Sequence, residues 1–207
     1  MAGPITHIVL AQKIYASHFS TLAEKDFYVG TSFPDIRYLG VIEREKTHVP
    51  VTDRRAIQKQ NSFFAGVSTH VLVDQLRETY MTTNGVYDLV PKSPLITQAM
   101  KLYEDAVMYP KCSDWQSVAS YFDHIFPGES AYGIAENDLR KWHTFLQFYF
   151  THGVTRESGE MFVRTTGKPD GFATELLKVY EELSTIPNFS RWITDFYDHF
   201  QEMIEAA

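Results

Sequence analysis

Residues 66 to 75 read GVSTHVLVDQ, with His70 and Asp74 four positions apart in an otherwise apolar run. On a helix that spacing sets two side chains about 40° apart around the axis and one turn apart along it. Phe63 and Val67 fall on the same stripe, so both polar groups point where the apolar ones point. A buried charge is costly unless it is paired or binds a metal. Two readings follow: a His–Asp hydrogen bond in the core, or a pair of metal ligands. His7, Asp35 and His48 extend the second. His7 shares a helical stripe with Leu10, Ala11 and Ile14, Asp35 follows Pro34, and His48 precedes Val49 and Pro50. Imidazole and carboxylate donors suit zinc, and also manganese or iron.

Mostly helical elements must position these residues. Apolar periodicity predicts helices over 4–17, 22–33, 55–80, 95–108, 114–125, 135–151, 172–184 and 189–205. Pro34 is expected to halt the second helix. Residues 34–53 read as a long irregular connection carrying Asp35 and His48, and functional residues often sit in such loops. Residues 82–94 are a turn-rich break with Asn84-Gly85 and two prolines. Residues 151–171 are the least regular and have room for a short strand pair. The whole, 1–207, reads as one all-α metal-binding domain, a bundle in which two helices and one loop bring the five residues together.

Composition narrows the partners. The chain of 207 residues is 44% hydrophobic and 22% charged, ordinary for a globular protein. Net charge is −7 with no Lys/Arg block, which argues against duplex nucleic acid but not against a small phosphoester, since a metal can supply local positive charge. Cys112 is the single cysteine, so neither an internal disulfide nor a thiolate zinc site is available. The first twenty residues carry His and Gln within their apolar stretch, unlike a secretory signal. No window reaches the length of a membrane span, and the expected address is the cytoplasm.

Four local words occur in order: GPITHIVLAQKI, FYVGTSFPDIRY, Thr47-His48 and FFAGVSTHVLVDQ. Over residues 3–74 they resemble the zinc-dependent phospholipase C family, which shows a Gly-Pro-x-Thr-His start and a Gly-x-x-x-Pro-Asp segment. A Thr-His word and a Phe-x-x-Gly-x-x-x-His-x-x-x-Asp helix follow. The resemblance implies the all-α fold of the phospholipase C and single-strand nuclease type, with a long functional loop between the second and third helices. It implies that Asp35, His48, His70 and Asp74 hold one zinc, and that Asp74 bridges to a second, which His7 also binds. In the secreted relatives the free amino terminus joins that second metal. The implied activity is phosphoester hydrolysis by a metal-activated water, with Asp35 as ligand or as general base. The implied substrate is a small phosphoester or a lipid headgroup.

The chain departs from the family at the third metal. That site would need a His soon after Asp74 and then a His-x-x-x-Glu/Asp word. Here QLRETYMTTN follows Asp74, and His124, His143, His152 and His199 are followed four residues on by Gly128, Gln147, Arg156 and Met203. One or two ions are therefore expected. Glu78 reads as a substitute ligand or, more simply, as a salt-bridge partner. Arg37, Arg54 and Arg55 read as phosphate-facing groups or as solvated charges. His18 lies about 16 Å along the first helix from His7 and reads as structural. The aromatic run FLQFYF (145–150) is core or the wall of an apolar groove. An HD-type phosphohydrolase is the neighbouring enzyme class, and the chain lacks its His-Asp dipeptide. A scaffold whose metal only ties helices together is the non-catalytic alternative.

Overall fold

The computed structural model describes residues 1–169 and 171–206; Asp170 and Ala207 lie outside them. The described residues form helices and turns, with no strand among them. The first half runs α1 Pro4–Ile14, α2 Glu24–Ser32, α3 Arg44–Thr47, α4 Arg54–Ile57, α5 Ser62–Thr83 and α6 Ile96–Met108. The second half runs α7 Trp115–Ser120, α8 Pro127–Ser130, α9 Glu136–His152, α10 Arg156–Thr166, α11 Phe172–Ser184 and α12 Phe189–Ala206. Their buried apolar side chains make one contiguous cluster from Ala2 to Ile204. No helix among the described residues is long and apolar enough to cross a membrane.

Four boundaries differ from the sequence expectation, each for a local reason. Pro34 does not stop the chain's coiling. It opens a 3₁₀ turn, Phe33–Leu39, that continues directly from α2, because proline lacks only a donor that a first turn leaves free. The connection 34–53 is accordingly half-ordered, with that turn and α3 inside it. The helix expected over 55–80 is two helices. Asp53 caps α4 by accepting from Arg55 N, and Asn61 caps α5 by accepting from Phe64 N at 3.0 Å. In 151–171 a helix, α10, stands where a strand pair had room. Thr155 accepts from Ser158 N, Ser158 accepts from Thr155 N, and Gly167 ends the helix at φ 65°.

The central packing joins α2 to α5, and two glycines make it possible. A Cβ on Gly30 would lie 2.0 Å from the Phe63 carbonyl oxygen, and one on Gly66 would lie 2.1 Å from that of Phe27. Both obstacles are backbone, so no rotamer change relieves them. The close approach brings the carbonyl end of α2 beside the His70 turn of α5. Helix α1 docks through a different device. Its N-cap, Gly3, has no side chain to offer. Asp105 of α6 takes that role, accepting from Thr6 N at 2.8 Å and from Thr6 Oγ1 at 2.7 Å. A Cβ on Gly3 would sit 2.3 Å from the Asp105 carboxylate.

Candidate metal centre

All five candidate residues meet. His7 comes from α1, Asp35 from the 3₁₀ turn after α2, His48 from the C-cap of α3, and His70 and Asp74 from α5. His7 and His70 are each 1% exposed, Asp35 2%, and His48 and Asp74 6%. One potential ligand atom from each of His7, His70 and Asp74 lies within 4.8 Å of the others. The same holds for Asp35, His48 and His70, so His70 belongs to both groups.

The hydrogen bonds orient the imidazoles. His70 Nδ1 lies 2.9 Å from the Thr31 carbonyl oxygen. A carbonyl only accepts, so Nδ1 carries the proton and Nε2 presents its lone pair inward. His48 Nδ1 lies 2.9 Å from Thr47 Oγ1, and that hydroxyl donates to the Arg44 carbonyl at 3.3 Å. Its oxygen then accepts from His48, which again frees Nε2. Fixing one ring nitrogen so that the other can bind is the usual support of a metal-ligating histidine. The His7 ring stacks on that of His70 at 3.7 Å between centroids.

What the centre lacks is partners. His7 Nδ1 and Nε2, His48 Nε2, His70 Nε2 and Asp74 Oδ2 are buried with no hydrogen bond. Buried polar atoms are ordinarily satisfied. A cluster of orphans from four residues, all types that bind metals, fits a cation at their centre. The two Asp74 oxygens face different ways. Oδ1 is 3.4 Å from His7 Nε2, while Oδ2 is 3.8 Å from His48 Nε2 and 3.9 Å from His70 Nε2. That is the disposition a bridging carboxylate needs. Oδ1 also accepts from Ala2 N at 2.7 Å, and the Met1 amine stands 3.9 Å away.

Burial sets the protonation of the imidazoles. It lowers His48 to about 4 and holds His70 well below its ordinary value. Both are neutral at neutral pH, as ligation requires. Burial alone would raise Asp35, yet the charges of Lys101 and Arg37 overcome it and bring the carboxyl to about 2. Lys101 Nζ is 3.5 Å from Asp35 Oδ2, and Arg37 is 3.4 Å from Oδ1.

Lys101 was not singled out from the sequence. It is buried on α6 and donates to Tyr38 Oη at 2.8 Å. Arg77 and Glu104 were missed too; they form a buried bidentate pair one turn beyond Asp74. A lysine and a glutamate on a helix read as solvated, and only the tertiary partner reveals otherwise.

The remaining candidates fall away from the centre. Glu78 is a surface salt-bridge partner, 3.6 Å from the Met1 amine and 3.5 Å from Arg77, and it accepts from Tyr87 Oη. Arg54 donates to the Ile204 carbonyl, and Arg55 is exposed. Arg37 is the exception: it lies over the Tyr38 ring but stays at the edge of the centre, 3.4 Å from Asp35 Oδ1. His18 sits on a π-helical turn after α1 and belongs to neither ligand group. His143, which the sequence leaves without a role, is buried between the Phe122 carbonyl and Glu129. In the run 145–150 the aromatics Phe145, Tyr149 and Phe150 are core, with Leu146 between them.

A cleft of about 320 Å³ opens onto the centre, lined among others by Met1, Arg44, His48, Asp74 and Gln75. Gln75 pins the loop after His48 by pairing both amide atoms with the Val51 backbone. No protein-family model, curated protein or solved structure matches the chain.

Proposed function

We propose that the chain is a metal-dependent phosphoester hydrolase of the phospholipase C type, acting on a small phosphoester or lipid headgroup. The observation that carries this reading is the set of unpartnered buried donors on His7, His48, His70 and Asp74. Asp35, His48, His70 and Asp74 would hold one divalent ion, zinc by donor type, with manganese or iron as alternatives. Asp74 Oδ1 and His7 would serve a second. Such an ion polarises a phosphoryl oxygen and lowers the pKa of bound water toward neutrality.

The chain's own groups do the rest. Thr31 and Thr47 fix the tautomers of His70 and His48. Lys101 places a buried positive charge beside Asp35 and compensates its carboxylate. Asp35, brought to about 2, is a weak base at neutral pH. Its environment therefore favours the ligand role over general-base catalysis, which works best with a pKa near the operating pH. The cleft beside Met1, Arg44 and Gln75 gives the substrate its approach.

A metal that only ties helices together is the competing reading, favoured by the deep burial of all five ligands. Turnover separates the two. With zinc or manganese added, the protein is expected to hydrolyse a chromogenic phosphodiester or a short-chain phosphatidylcholine. Asp74→Asn is expected to lose at least about tenfold in rate, or about 1.4 kcal/mol. The exposed His152→Ala serves as control, because His143→Ala would strand buried Glu129. A metal-loaded protein inert on both esters supports the structural role. Equal rates for wild type and Asp74→Asn place the chemistry elsewhere.

A further inference from the structure

Beside Asp35 lies a second cavity of about 50 Å³. Asp35 belongs both to its lining and to the metal centre, and Tyr38 and Lys101, which line it too, are joined to Asp35 through Lys101 Nζ. The rest of its lining is mainly apolar, with Leu102 from α6, Trp142 and Phe145 from α9, Phe162 from α10 and Leu176 from α11, beside the polar Gln98, Asp105, Tyr149 and Ser158. It is a mainly apolar space lined by Asp35, a member of the cluster of candidate metal ligands. Binding sites are typically mostly apolar with a few convergent polar groups at one end.

We propose that this cavity is the subsite for a compact apolar group of the substrate, an alkyl chain of about four carbons or its equivalent, carried on the ester whose phosphoryl end meets the metal centre. The inference rests on the phosphoester reading above. Size sets the limit: one water-sized group needs about 10–15 Å³ of such volume, so about four fit. Asp35 sets the orientation: of the charged residues that line the cavity, Asp35, Lys101 and Asp105, it is the one that also belongs to the metal centre. Helix α10 covers the cavity with the lightest anchorage. Only Ser158 and Thr165 of its residues are buried, and Gly153 and Gly167 flank it with φ of 67° and 65°.

Alkylphosphonates of one, two, four and eight carbons, titrated calorimetrically into zinc-loaded protein, test this. Affinity is expected to rise roughly threefold per methylene up to four carbons and then to level off. Gly159→Leu should fill the cavity from α10. Gly159 lines it, and a Cβ there meets no heavy atom within 4 Å; leucine also suits a helix better than glycine. That variant should flatten the series while keeping its zinc. Leu176→Ala should move the plateau to a longer chain. Affinity independent of chain length, or a rise unchanged in Gly159→Leu, overturns the proposal. 1-Butanol, followed by NMR, separates the two readings. If the phosphonates fail but butanol binds wild type and not Gly159→Leu, the apolar subsite stands and the phosphoester reading fails. If neither binds, the subsite is refuted.

Discussion

The Thr31 carbonyl oxygen accepts the Nδ1 proton of His70 at 2.9 Å across the α2–α5 contact. The backbone of one helix thereby sets the tautomer of a histidine on another. Gly66 lies one turn before His70 and permits that approach, since its Cβ position is blocked by the Phe27 carbonyl and by Thr31 N at 2.7 Å.

Gly66→Ala should therefore act on two quantities at once. Forcing the helices apart costs about 2 kcal/mol of stability, readable in urea unfolding. Loosening the Thr31–His70 bond weakens zinc binding by roughly tenfold or more, the usual consequence of losing such a support, readable by competition with a chelating dye. Loss of stability with unchanged zinc affinity would show that the carbonyl does not orient His70.

Asp105 carries a pH dependence of a defined sign. Burial raises its pKa to about 6, against the hydrogen bonds from Thr6 and Tyr149. The folded carboxyl thus holds its proton more tightly than the unfolded one. Between about pH 4 and 6 the native state binds more protons, so stability falls as pH rises through that window. The full effect is about 3 kcal/mol. Asp105→Asn keeps the size and one acceptor oxygen but cannot ionise. At saturating zinc, its stability relative to wild type should grow by a few kcal/mol from pH 4 to pH 7. Metal loss at acid pH is common to both proteins and cancels. A difference that stays flat would place the Asp105 pKa near that of an ordinary carboxylate.

The helical fold and the five clustered residues were readable in the chain itself because they follow local rules. The His70–Asp74 spacing within an apolar run fixes a face, and His7 repeats the pattern on α1; Asp35 and His48, in the connection, follow no period and were singled out by the resemblance of the local words. What escaped depends on partners distant in sequence. Lys101, Glu104 and Asp105 form a charged stretch on α6, yet all three are buried, each matched by a group more than 25 positions away: Asp35 and Tyr38, Arg77, and Thr6 with Tyr149. No period reports such a match. Helix α10 did leave a signal, Thr155 and Ser158 at capping spacing and Gly167 at the far end, obscured by the Gly-rich composition of the segment. The separation of α4 from α5 was likewise written in Asn61, a capping residue within an apparently continuous helical run.

The central claim is that the unpartnered donors of His7, His48, His70 and Asp74 surround a metal. Elemental analysis of protein purified without chelator tests it most directly, with His70→Gln beside wild type because His70 belongs to both ligand groups. Wild type should carry one or two equivalents of zinc, manganese or iron, and removing them should lower Tm by several degrees, at about 2–4 °C per kcal/mol. His70→Gln, folded by circular dichroism, should lose most of that metal. Wild-type protein that is metal-free and takes up no added zinc, manganese or iron, or a His70→Gln variant with its full complement, would contradict the claim.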